Sequence, residues 1–259
     1  MLSIEDIERG YPEALLGHKA HILREYLQYK ILAIISQSRL APKLSFLGGT
    51  ALRIIYGNTR FSEDLDFDNF GLTREEFEAV SLEVKRGLEA DGMQVEISFA
   101  GHEAFRCNVR FPGLLFKSGL SALPEQKILL QIDTLAQGIS YEPEVKLLNK
   151  FDVFTSLRTT PIEILLSQKL YACGNRPRPK GRDFFDIVFL FSLGITPNYE
   201  YLKEKINVAT ADDLRTYILK RTETYNFSAL AEDVRPFLFK ASDAVRVERF
   251  LKVFAEAKL

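Results

Sequence analysis

A glycine pair and two closely spaced aspartates stand near each other in the chain: Gly48-Gly49-Thr50, then Asp64-Leu65-Asp66. Residues 43–47 read as a short strand running into the glycines, and the stretch to Tyr56 reads as a short helix that Gly57-Asn58 stops. A helix start offers unpaired N–H groups and a partial positive charge, and glycines let a phosphate approach the backbone closely. Thr50 adds a hydroxyl donor. On a strand, Asp64 and Asp66 point to one face, with Leu65 and Phe67 on the other. Two adjacent carboxylates repel unless a cation sits between them, and Mg²⁺ takes carboxylate and phosphate oxygens together. Each feature alone also has a plain reading, as a turn or a solvated acidic edge. Arg60 and Ser62, just ahead of the acids, would orient a carboxylate, touch a phosphate, or simply belong to a loop.

Metal-assisted phosphoryl transfer asks for more than two acids. Two ions roughly 4 Å apart serve the attacking hydroxyl and the leaving group, and a further carboxylate helps activate the nucleophile. Asp133 is the candidate. It ends Lys127-Ile-Leu-Leu-Gln-Ile-Asp133, where Leu129, Gln131 and Asp133 share a face opposite Ile128, Leu130 and Ile132. Glu96, on another predicted strand, is the alternative. Phosphatases and glycosyltransferases also use Asp-x-Asp, but neither calls for a Gly-Gly-Thr turn ahead of the acids.

The elements that would position these groups follow from periodicity. Residues 3–40 read as helical, with Ile22, Leu23, Tyr26, Leu27, Ile31 and Ile34 on one apolar face, ended by Pro42. Residues 73–90 read as a helix with Thr73 and Glu76 as a capping box. Residues 94–99, 104–111 and 126–133 read as strands of one sheet; 145–154 is a strand or a loop. After Pro161 the chain turns helical, over 162–172, 183–191 and most of the remainder. The expectation is an α+β protein of two parts, a mixed α/β part over 1–155 and a helical part over 156–259.

Composition narrows the classes. Of 259 residues, 46% are hydrophobic and 27% charged, with a formal charge of −1, which argues against coating nucleic acid by net charge. No apolar run approaches the roughly 20 residues of a membrane span. The start MLSIEDIERG is acidic without an apolar signal core, so a cytoplasmic protein is expected. Cys107 and Cys173 read as reduced thiols, and His18, His21 and His102 form no zinc signature with them. The densest cation cluster is Arg176-Pro-Arg-Pro-Lys-Gly-Arg182. It reads either as a phosphate or RNA contact, or as a solvated turn whose charges pair with Asp183 and Asp186.

Taken together, Phe46-Leu-Gly-Gly-Thr-Ala-Leu52 and Arg60-Phe-Ser-Glu-Asp-Leu-Asp-Phe67 resemble the signature of AbiEii-type nucleotidyltransferases, bacterial toxins of toxin–antitoxin pairs. Glu163-Ile-Leu-Leu-Ser-Gln-Lys-Leu170 and Gly181-Arg-Asp-Phe-Phe-Asp-Ile187 resemble the family too, as does Leu23-Arg-Glu-Tyr-Leu27. The likeness spans roughly residues 11–195. It implies a polymerase-β-like nucleotidyltransferase core, a small mixed sheet with helices, followed by a helical part. It implies Mg²⁺, two ions in all, and a nucleoside triphosphate (NTP) as donor of a nucleoside monophosphate. The implied acceptor is a tRNA 3′ end, and an antitoxin the implied partner. By the same likeness Gly48, Gly49 and Thr50 hold the triphosphate with Arg60 and Ser62 beside them. Asp64 and Asp66 hold metal, Lys169 reaches the phosphates, and Asp186, with Asp183, completes the catalytic set; Asp133, the candidate from its strand face, would be the third metal-holding carboxylate. By position alone Lys169 reads as a solvated lysine on an otherwise apolar helix. Transfer to a protein or small-molecule (antibiotic) hydroxyl, and a non-catalytic nucleotide-binding module, are the alternative readings.

Overall fold

The computed structural model describes residues 1–101 and 104–259; His102 lies outside the described residues. The chain forms two compact units, one of residues 1–51 and 61–160, the other of residues 52–60 and 161–259. The division is not linear, because residues 52–60 pack with the C-terminal segment. Among the described residues no helix is long and apolar enough to cross a membrane.

The first unit is built on a seven-stranded mixed sheet. Its strands are β1 (Leu44–Leu47), β2 (Leu65–Asn69), β3 (Glu96–Ala100), β4 (Phe105–Phe111), β5 (Ile128–Leu135), β6 (Glu144–Lys150) and β7 (Val153–Thr159), in the order β3-β4-β5-β2-β1-β7-β6. Residues 145–154, ambiguous between strand and loop, lie in the antiparallel hairpin β6–β7. Strand β5 alternates as its sequence requires: Ile128, Leu130 and Ile132 are buried and the residues between them are not.

Helices α1 (Ile4–Glu8), α2 (Lys19–Gln37), α3 (Gly48–Tyr56), α4 (Arg74–Ala90) and α5 (Leu114–Lys117) accompany the sheet. The expected continuous helix over 3–40 is instead α1, a 3₁₀ turn (Glu13–His18) and α2. Gly10 and Pro12 fall at the break, and neither supports helix propagation. Nor does α2 bury one stripe alone: Glu25, Gln28 and Tyr29 are buried beside the apolar face. Tyr11 Oη donates to Glu25 (2.8 Å) and Lys150 Nζ reaches it at 2.9 Å, so the inward acid is compensated. The capping box of Thr73 and Glu76 opens α4 as its spacing predicts.

The second unit holds α6 (Ile162–Asn175), α7 (Gly181–Ser192), α8 (Tyr199–Ile206), α9 (Ala211–Thr222), α10 (Phe227–Val234), α11 (Val245–Glu248) and α12 (Phe250–Glu256). Its core is aromatic: Phe184 meets Phe250 edge-on at 4.8 Å, and Phe250 stacks on Phe227 and Phe254. Gly181 is required where α7 begins, because a Cβ there would sit 1.8 Å from the Leu230 carbonyl oxygen of α10.

A buried polar network ties the sheet to the loop after β5. Asp68, 2% exposed, accepts from the Gln137 N–H (2.8 Å) and from Tyr141 Oη (2.8 Å). Tyr141 also meets Thr160, which meets Ser45. Burial pushes the Tyr141 phenol well above its usual pKa, so it stays a donor. Tyr141→Phe leaves a buried carboxylate short of one donor. It is expected to lower stability by about 1–3 kcal/mol, read from the midpoint of urea unfolding at unchanged m-value.

Candidate active site

Register across four strands assembles the acids of the first unit. Leu47 of β1 stands opposite Asp66 of β2. Asp66 is level with Asp133 of the parallel neighbour β5, and Asp133 with Arg106 of β4. Partners at one level share a face, so Asp66, Asp133 and Arg106 stand in a row. The sequence pointed to Asp133 by its face alone; the pairing places it next to Asp66. Glu96 stands elsewhere, at the far end of edge strand β3, paired with Lys127 (2.7 Å).

Gly48 is what lets β1 turn into α3 beside the acids. Its φ is +81°, and a Cβ there would lie 2.3 Å from Asp66 Oδ2. Only glycine both adopts this backbone and leaves the carboxylate its space. Gly49 follows, buried.

Asp64 lies just before β2 rather than in it, and its backbone is clamped. Gln28 of α2, 1% exposed, donates its amide to the carbonyls of Ser62 and Glu63, both at 3.0 Å. The Thr50 hydroxyl donates to the carbonyl of Asp64. Thr50, expected at the triphosphate, is therefore fully buried and engaged in shaping the acidic segment. What the structure fixes at Ser62 is its carbonyl. Gln28 was invisible to motif reasoning, since a glutamine on an apolar helix reads as surface. Asp68 had a signal: the alternation Asp64, Asp66 continues to it, one step further along the same face.

Arg106 holds Asp133 through two parallel bonds, Nε to Oδ1 at 2.8 Å and Nη2 to Oδ2 at 2.7 Å. Those bonds, then the charges of Asp133, Asp64 and Asp66, hold the guanidinium above its ordinary pKa. All three acids thus act on one cation. The carboxylate donors of Asp64 and Asp66 are of the type a hard divalent ion takes. Among the described residues, no three His, Cys, Asp or Glu groups already converge on a ligand position. Asp133 would join only by giving up part of its hold on Arg106.

The second unit carries a charge cluster of its own. Asp186 on α7 is fully buried. Arg60 grips it bidentately, Nε to Oδ1 and Nη2 to Oδ2, both at 2.7 Å. Asn58 Nδ2 donates to Oδ1 at 2.7 Å, and Lys169 Nζ of α6 stands 2.9 Å from Oδ2. Lys169 also bonds Asp183 (2.9 Å), which Arg176 Nε reaches at 2.8 Å. Arg60, expected at a phosphate, is 2% exposed and committed to Asp186. Lys169 is not a solvated lysine; its side chain is 13% exposed. In the basic loop Arg176 pairs with Asp183 and Arg182 lies over the Phe237 ring, at 4.8 Å.

A family model for the nucleotidyl transferase AbiEii toxin, type IV toxin–antitoxin system, matches residues 30–257. The chain belongs to this AbiEii family. The match takes in the C-terminal third, which the likeness of motifs left unassigned. No curated protein matches. Three solved structures share the fold of the AbiEii chain. MenT4, a nucleotidyltransferase toxin from Mycobacterium tuberculosis H37Rv, is 18% identical with a TM-score of 0.64, covering 100% of this chain and 91% of its own. A putative nucleotidyltransferase from Helicobacter pylori is 20% identical, TM-score 0.57, covering 95% and 96%. JHP933 from Helicobacter pylori is 19% identical, TM-score 0.56, covering 92% of each chain. The protein is thus a nucleotidyltransferase of mixed α/β fold, from a family whose substrates are NTPs and whose members pair with antitoxins.

The Asp186 cluster gives pH-dependent stability. Burial pushes the Asp186 carboxyl up, but Arg60 and Lys169 outweigh it and its pKa ends below the ordinary value. Burial pulls Lys169 down, but Asp186 and Asp183 outweigh it and its pKa ends above. The Asp186 contribution is therefore present above the unfolded value of about 3.9 and lost as pH falls through the lower folded value. That of Lys169 is present below about 10.4 and lost as pH rises through the higher folded value. Arg60→Ala strands a buried carboxylate and is expected to cost about 3–5 kcal/mol. Urea unfolding at neutral pH measures that loss, and the Asp186→Asn variant should show a shallower loss of stability below pH 4 than the parent.

Proposed function

We propose that this AbiEii-family protein is a Mg²⁺-dependent toxin that moves a nucleoside monophosphate from an NTP to the 3′-terminal hydroxyl of tRNA. The observation that carries the reading is the register of Asp66 with Asp133, with Gly48 seated against Asp66. Asp64 and Asp66 are the metal-holding carboxylates. A divalent ion bound there supplies charge neutralisation at the phosphates and acidifies the attacking hydroxyl. The Gly48-Gly49 turn at the start of α3 offers its backbone N–H groups to the triphosphate, where attack of the acceptor hydroxyl on the α-phosphorus breaks the bond to the β-phosphate and releases pyrophosphate. Asp133 stands beside Asp66 as the base for the acceptor hydroxyl, and Arg106 orients it through two parallel bonds. Lys169 has three N–H donors and gives two to Asp183 and Asp186; the third is offered to a phosphate oxygen. The tRNA acceptor rests on the likeness of the motifs. Protein or antibiotic hydroxyls are the competing acceptors.

The test supplies each of the four α-labelled NTPs with Mg²⁺ and total RNA. Label should appear in a tRNA-sized band with release of pyrophosphate. Label in protein instead, or release of free phosphate, would reject the acceptor or the reaction class. Asp64→Asn and Asp66→Asn should each lower turnover by well over tenfold, more than about 1.4 kcal/mol in the barrier, while the fold persists. Lys169→Ala should raise the NTP requirement with every acceptor, by the equivalent of about 1.5–3 kcal/mol for a lost charged contact. Unchanged nucleotide kinetics in a folded Lys169→Ala protein would leave Lys169 a purely structural partner of its two aspartates.

A further inference from the structure

Strands β1 and β7 run parallel but pair at one level only, Phe46 with Thr159. Just beyond it the Thr160 N–H donates to the Phe46 carbonyl (2.9 Å). Towards their N-terminal ends the two strands do not pair with each other, and a cavity of about 300 Å³ lies against Leu44 of β1 and Ser156, Leu157 and Arg158 of β7. Ile35 of α2, Leu44, Phe67 and Leu157 give it an apolar lining, and Arg39 and Arg158 line it as well. That volume is at the lower end of small-molecule sites, which span about 300–1,000 Å³.

The two guanidinium groups are under-used. Arg158 Nε is buried without a hydrogen-bond partner. Among the described residues its one ion-pair partner, Glu142, is 4.0 Å away and 90% exposed. Arg39 is exposed and has no hydrogen bond or ion pair among the described residues. Glu76, whose charge reaches Arg39, is itself held by Lys43 at 2.6 Å. A buried N–H donor without an acceptor is unfavourable, and a planar anion is what a guanidinium pairs with best.

We propose that this cavity binds a small carboxylate with an apolar, single-ring body. The carboxylate pairs with Arg39 and Arg158, and the ring packs on Phe67 and Leu157. Phe67 directly follows Asp66, and β1 runs into Gly48, so a bound ligand bears on the two strands that carry the acidic site. The site is independent of the acceptor and of the transfer reaction.

The test titrates the full-length protein with phenylacetate, and with phenylacetamide as the uncharged match, followed by calorimetry and amide-shift NMR. Saturable one-site binding of phenylacetate in the millimolar range is expected, with the amide weaker by about tenfold or more. Arg158→Ala and Arg39→Ala should each weaken phenylacetate by about tenfold; Arg39 is exposed, so its variant keeps the fold and the experiment decisive. Shifts should centre on Leu44, Phe67 and Leu157. Equal affinity for acid and amide, unchanged affinity in both variants, or no saturable binding would overturn the proposal. Inorganic phosphate binding as tightly as phenylacetate would overturn its apolar half.

Discussion

The carboxylate of Asp66 occupies the space that any side chain at position 48 would need, and much of the first unit is arranged around that contact. It demands glycine and a left-handed backbone at Gly48. It also demands that β1 turn into α3 directly against β2, which the antiparallel pairing of Leu47 with Asp66 brings about. Once β2 is held at this level, its parallel pairing with β5 puts Asp133 beside Asp66. Antiparallel pairing of β4 then brings Arg106 to Asp133. Carboxylates brought this near repel one another; the bidentate arginine on Asp133 reduces that cost.

Neutral groups do most of the positioning near Asp64. The amide of Gln28 and the hydroxyl of Thr50 bond to carbonyls, not to carboxylates, so they fix the backbone without consuming the charge of the acids. This explains why both are buried although each looks like a surface or ligand residue. Fixing the backbone on both sides of Asp64 sets where its side chain starts, and leaves the charged oxygens to a cation and its substrate.

The second unit uses buried charge differently. Asp186 is saturated by Arg60, Asn58 and Lys169, and Asp183 shares Lys169 and takes Arg176. Pairing of this density is required because an isolated carboxylate at that depth would not stay ionised. The basic loop is thereby partly consumed by its own helix: Arg176 serves Asp183, and Arg182 covers Phe237, while Arg178 and Lys180 form no ion pair among the described residues.

The family, the strand-turn-helix at Gly48, the acids of β2 and the alternation of β5 were legible in the sequence, because each depends on neighbours a few residues away. The alternation Leu65, Phe67 against Asp64, Asp66 fixes a face, and Ile128, Leu130, Ile132 fix another, whatever the partner strands are. Helical periodicity likewise marked α4, α6 and α7. The sequence did not reveal what pairs with what. Asp133 and Glu96 both sit on strands with acceptable faces, and only the register shows that Asp133 stands level with Asp66 while Glu96 does not. Arg60 read as orienting a carboxylate, touching a phosphate or lying in a loop; the carboxylate it holds is Asp186, on a helix far along the chain, which spacing does not reveal. Lys169 read as solvated because a helix wheel cannot show a facing pair of aspartates. Local spacing sets which way a side chain points; only long-range pairing and burial decide what it meets, and with that its charge state and its task.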